Sequence, residues 1–172
     1  MMKLYTKLNL LILILFSSFL PDSISAQTTV QIGTGTAVSG STLYSPIYRF
    51  SAGSSTSDSK SNILYTATEM STAGIAPGDL ITAIAFNKDN NGHFLIPAQY
   101  TIRMGNTAAT PPMTGTIATQ WQTILNTHTT VFTNNSFNVP NTAGWMTTIL
   151  TTPFVYTGGS LEISTELIMT GG

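Results

Sequence analysis

No cysteine occurs among the 172 residues. That absence excludes thiol catalysis, cysteine–zinc sites and disulfide staples. It also excludes a lipoprotein-type anchor, which needs a cysteine at its cleavage point. Charge is scarce as well. Asp, Glu, Lys and Arg together supply 8% of the chain, against a usual share of roughly 25%. The formal net charge is −1 and no basic stripe is present. The ordinary electrostatic routes to nucleic acid and to an anionic membrane surface are therefore closed. No apolar run reaches the ~20 residues that a membrane-spanning helix needs.

What is present suits an extracellular β domain. Hydrophobic residues make up 42%, enough to form a core, so the low charge does not read as disorder. Solubility must rest on Thr, Ser, Asn and Gln, and Thr combines high strand propensity with a hydroxyl that can face water. The length favours one domain once a leader is removed.

The leader is legible at the N-terminus. Lys3 and Lys7 give a positive start, and Leu8 to Leu20 is apolar apart from Asn9, Ser17 and Ser18. Pro21 and Asp22 break the run, and Ser23-Ile24-Ser25-Ala26 offers small residues for cleavage. This is the order of a secretory signal peptide. Residues 1–26 are expected to be removed, leaving a mature chain from Gln27 that is secreted or displayed on the cell surface, with no stable membrane span.

The mature region has short apolar runs separated by Gly, Pro, Asn and Ser clusters, the spacing of an antiparallel β-sandwich. Val30 and Ile32 alternate with Thr29 and Gln31. Leu43 to Phe50 holds Pro46, which marks an edge or bulged strand. Residues 51–61 read as a surface loop, 62–67 as a short strand, and 70–78 as a turn. Leu80 to Phe86 is nearly continuous and apolar, so it is expected to be buried on both faces. Tyr100, Ile102 and Met104 alternate with Thr101 and Arg103, which predicts a strand with the first three facing the core. Trp121, Ile124 and Leu125 sit at i, i+3 and i+4, which predicts a short helix over 119–125. Residues 129–133, 145–151 and 160–169 complete the strand candidates, with a turn at 156–159.

Several ordered blocks resemble a known family. They are Ile32-Gly33-x-Gly35 with Pro46-Ile47-Tyr48; Leu64-Tyr65-Thr66-Ala67 with Glu69-Met70, Ile81 and Ile84-Ala85-Phe86; and Ala143-Gly144-Trp145 followed by Thr151-Thr152-Pro153-Phe154, Tyr156 and Gly158-Gly159-x-Leu161. Together they resemble the jelly-roll-like N-terminal modules of large surface proteins exported by the bacterial type IX secretion system. The resemblance covers nearly all of the mature chain. It implies a non-catalytic β-sandwich on an exported protein and supplies no ligand. It also implies further strands beyond Gly172 and a C-terminal sorting domain. Residues 27–172 are accordingly expected to be a truncated sandwich, with the core around Leu161, Ile163 and Leu167 under-covered.

The residues that could carry chemistry are few. His93 and His128 lie far apart in polar contexts, and each reads as a surface histidine, since a metal site needs more converging ligands. Asn87-Lys88-Asp89-Asn90-Asn91-Gly92 superficially suggests a calcium loop but lacks the alternating acids and closing Glu, so it reads as a hairpin turn. Glu162 and Glu166 on one strand would stand about 13 Å apart, too far for a glycosidase pair. With Ser164 they read as an exposed polar face opposite Leu161, Ile163, Leu167 and Met169. No Gly-x-Ser-x-Gly elbow, His-Glu-x-x-His or phosphate loop occurs, and the Thr spacing is too irregular for an ice-binding ladder. Trp121, Trp145, Tyr44, Tyr48, Tyr65 and Tyr156 could form a sugar-stacking platform but read first as core and corner residues. The sequence thus points to no catalytic, cofactor or metal residue. It predicts a structural or adhesive module, with surface glycans or other domains of the same protein as partners. The alternative is a carbohydrate-binding accessory module of a secreted hydrolase. Exposed aromatics on one sheet face would favour that alternative.

Overall fold

A computed structural model of the chain describes residues 27–33, 58–89, 97–109 and 115–169. The leader, the strand expected over 43–50, Tyr44, Tyr48, His93 and Asn90–Gly92 lie outside the described residues.

The chain is an all-β sandwich. Its strands are β1 (Asp58–Tyr65), β2 (Leu80–Lys88), β3 (Ala98–Thr107), β4 (Thr129–Phe137), β5 (Gly144–Val155) and β6 (Ser160–Ile168). Among the described residues two helices interrupt them, α1 (Ala67–Thr72) and α2 (Ile117–Thr127). One sheet has four antiparallel strands in the order β1-β6-β3-β4, and the other pairs β2 with β5. Their inner faces share one core. Tyr100, Ile102 and Met104 from β3 meet Leu161, Ile163 and Leu167 from β6, Val131 from β4, and Met146, Leu150 and Phe154 from β5. Tyr100 stacks on Phe137 with centroids 4.6 Å apart and meets Phe132 edge-on at 6.2 Å.

The alternation read along β3 is the observed register: Tyr100, Ile102 and Met104 are fully buried. A bulge beside Ile102 and Arg103 inserts Val131 as an extra residue on β4 and sends it into the core. Strand β6 also keeps its expected apolar side inward. Its core residues are well covered, since Leu161, Ile163 and Leu167 are all buried. The expectation of an under-covered core there does not hold.

Four further expectations are corrected. Leu80 to Phe86 is not buried on both faces: Leu80 and Ala85 are exposed, because nothing described covers the outer side of the two-stranded sheet. Residues 27–33 form no strand, although Ile32 packs against the core. Residues 58–61, expected in a loop, begin β1. Among the described residues β1 is the outermost strand of its sheet, and its Lys60 lies opposite Glu166. The turn expected over 70–78 overlaps α1, which starts with a capping box: Thr66 accepts from the Glu69 amide, and the Glu69 carboxylate accepts from the Thr66 amide.

Candidate functional site

The polar side of β6 carries Ser160, Glu162, Ser164 and Glu166 at alternate positions. Strand pairing sets their neighbours. Asn62 and Lys60 of β1 lie opposite Ser164 and Glu166, while Gly105 and Arg103 of β3 lie opposite Glu162 and Ser164. Helix α2 packs over this face. Thr116 caps its first turn, Ile124 is its buried anchor, and Trp121 is half-buried beneath two cations. Lys60 Nζ stands 5.4 Å and Arg103 Cζ 5.6 Å from the Trp121 ring, a distance at which cation–π attraction acts. Arg103 also reaches Glu166 at 3.0 Å, with Lys60 at 3.6 Å on its other oxygen.

His128 closes the end of α2 and donates its backbone N–H to Ile124. Its ring lies against Gly105. A Cβ there would overlap the ring, falling 2.7 Å from Nε2 and 3.0 Å from Cγ and closer still to Cδ2. Glycine in a strand interior here marks a close approach. The ring is held on both nitrogens, with Nδ1 3.0 Å from Ser164 Oγ and Nε2 2.9 Å from Glu162 Oε2. Ser164 Oγ in turn donates to Asn62 Oδ1 at 2.9 Å. The side chains of His128 and Glu162 are 3% and 2% exposed, and Ser164 is wholly buried. Glu162 Oε1 has no hydrogen-bond partner.

Burial lowers the His128 pKa below its ordinary value. The Glu162 hydrogen bond and charge pull it upward, Arg103 pushes it down, and the net direction is down. The imidazole is therefore held neutral near pH 7, able to take a proton from the hydroxyl beside it.

Two sequence expectations are overturned here. His128 is not a surface histidine, and Glu162, Ser164 and Glu166 are not an exposed face. The physical reason is the same for both: α2 covers that side of the sheet, and the polar groups satisfy one another instead of water. The hydroxyl–imidazole–carboxylate chain was therefore missed. Its signals were Gly105 in a strand otherwise free of glycine and the strict polar alternation of β6. The two glutamates do not act as a pair, since each has its own cation or imidazole.

The other candidates separate. Tyr156 is buried and caps the β5–β6 turn by donating to Gly159 O. Tyr65 is half-buried, and burial raises its phenol pKa. Trp145 is 57% exposed on β5, opposite Asn87 of β2. A shallow cleft lined by Asn106, Thr107 and residues 157–159 lies at the β5–β6 turn, away from His128. Among the described residues no cluster of three or more His, Asp or Glu could hold a metal ion, and no helix is long and apolar enough to cross a membrane. Compared with protein-family models, with curated proteins and with solved structures, the chain matched nothing.

Proposed function

We propose that this chain is a non-catalytic, jelly-roll-like module of a secreted or cell-surface bacterial protein, with a structural or adhesive role. The observation that carries the reading is the inward use of its chemistry. Hydroxyl, imidazole and carboxylate converge at 2.9–3.0 Å, yet they lie between α2 and the sheet with Ser164 wholly buried. A hydrolase has to present its nucleophile to a substrate. Here the serine oxygen meets Asn62 of the same chain. Export is supported by the charge, apolar run and small residues of the leader, and by the ordered blocks that resemble type IX-exported modules. A fluorophosphonate probe tests the non-catalytic reading. The folded chain should leave Ser164 unlabelled and turn over no acetyl ester; stoichiometric labelling at Ser164 would overturn it.

One observation favours the second reading, a carbohydrate-binding accessory module. Trp145 is 57% exposed on the outer face of the two-stranded sheet, with exposed Asn87 opposite and exposed Thr147 two residues on. An open indole flanked by an amide and a hydroxyl is a surface on which a sugar ring can stack. Retention of the chain on insoluble polysaccharide, lost in Trp145→Ala, would favour it. No retention would remove it.

A further inference from the structure

We propose that Ser164 and Asn62 join in an intramolecular ester that ties β1 to β6, formed by the chain itself. Such a bond needs a hydroxyl, a base in contact with it, an acid that orients the base, and an acyl carbon within reach. All four stand in one row. His128 Nδ1 lies 3.0 Å from Ser164 Oγ, Glu162 Oε2 lies 2.9 Å from the other ring nitrogen, and Asn62 Oδ1, bonded to the acyl carbon, lies 2.9 Å from Oγ. The Ser164 hydrogen has two acceptors within reach. Turned toward His128, it leaves an Oγ lone pair facing the carboxamide.

The choice of groups points past a purely structural cluster. Glu162 is buried with one oxygen unpartnered, a costly way to hold a histidine that a neutral amide could hold as well. A carboxylate is what stabilises an imidazolium while it exists. Ser164, His128 and Glu162 are sealed from water, whereas Asn62 is exposed, with a path for a leaving group to depart.

The step balances without a co-reactant. Ser164 Oγ attacks Asn62 Cγ as its proton passes to His128 Nδ1, and the imidazolium is held by Glu162 at Nε2. His128 then returns that proton to Asn62 Nδ2, the Cγ–Nδ2 bond breaks and ammonia leaves. One hydroxyl and one primary amide become one ester and one ammonia. His128 is the catalytic base, and Glu162 is a positioning residue acting through it.

Reach is also adequate. Asn62 and Ser164 are direct register partners, with side-chain Cβ atoms in such pairs ~4.5–5.5 Å apart. An ester bridge spans about what a disulfide does, ~3.8 Å between Cβ atoms. Strand β1 has to close by about 1 Å toward β6. The bond would close a loop of 102 residues in a chain with no cysteine, supplying the covalent staple that disulfides give other exported domains.

Mass spectrometry decides. The chain should be refolded from inclusion bodies and held at a series of pH values from mildly acid to mildly alkaline. Its intact mass should fall by one ammonia, faster as pH rises through the imidazole titration. After trypsin, which cuts at Lys60, Lys88 and Arg103 but nowhere beyond, residues 61–88 should remain joined to residues 104–172. Asn62→Ala and Ser164→Ala should abolish both signs, and Glu162→Gln should slow formation and flatten the pH profile. A full-mass wild-type chain, or a deficit with separate peptides as a succinimide at Asn62 would give, overturns the proposal. Neither result bears on whether Ser164 reacts with a fluorophosphonate, so this proposal and the non-catalytic reading fail separately.

Discussion

Gly105→Ala is the substitution whose effect follows most directly from the packing. The new Cβ would stand 2.7 Å from His128 Nε2 and 3.0 Å from Cγ, inside any normal contact. The ring cannot yield in place, because Ser164 and Glu162 grip both of its nitrogens. It must leave, and both hydrogen bonds go with it. A bond to a neutral group contributes roughly 0.5–1.5 kcal/mol and one to a charged group roughly 1.5–3. Replacing glycine by alanine within a strand returns roughly 0.5–1 kcal/mol. The net loss is about 1–4 kcal/mol, a large share of the ~5–15 kcal/mol that holds a typical domain. Urea unfolding followed by circular dichroism measures it. The decisive comparison is the same substitution in a His128→Ala background. With the ring already gone, Gly105→Ala should be neutral or slightly stabilising. An equal cost in both backgrounds would refute the reasoning, since the clash would then lie elsewhere.

Other expectations follow from the same contacts. The folded chain holds His128 below its ordinary pKa, so the unfolded chain takes that proton more readily; this contribution is fully present above about pH 6.5 and is lost as pH falls through the folded value, at no more than about 1.4 kcal/mol per pH unit. Urea midpoints across that range should show the loss in wild type and a smaller one in His128→Gln. Trp121→Ala should cost about 2 kcal/mol by removing the half-buried ring beneath Lys60 and Arg103, and thermal melts should show Trp121→Phe restoring most of it. Thr66→Ala should cost about 1 kcal/mol through the lost capping box of α1, read from urea unfolding. Mass spectrometry of the exported protein should find a mature N-terminus at Gln27; Met1 at the start would contradict the leader.

The parts of the fold that were legible are those where one residue's neighbours on the chain decide its environment. Tyr100, Ile102 and Met104 alternate with polar residues, and a slip of one residue would turn all three away from the core. Trp121 and Ile124 share a helical face, and α2 is where they predict it. The Thr66-x-x-Glu69 box that starts α1 was passed over, with 62–67 read as strand and 70–78 as a turn. The polar cluster was not legible, for a physical reason. Asn62, Arg103, His128 and Glu162 come together through the strand order β1-β6-β3, which is far from sequence order. A serine or glutamate satisfied by a histidine is spelled the same way as one satisfied by water. Gly105 and the polar alternation of β6 held the local hints, because a strand gives up a side chain at Gly105 and something had to fill the space.

The claim that this polar layer is sealed beneath α2 is tested most directly by the His128 imidazole itself. Nitrogen-15 NMR of the ring, assigned by comparison with His128→Gln, reports its protonation state as pH is lowered. A sealed ring should still be neutral at the ordinary histidine value of about 6.5 and take its proton only below it. An imidazole that titrates freely near that value, with the chain still folded, would place His128 in water and contradict the account.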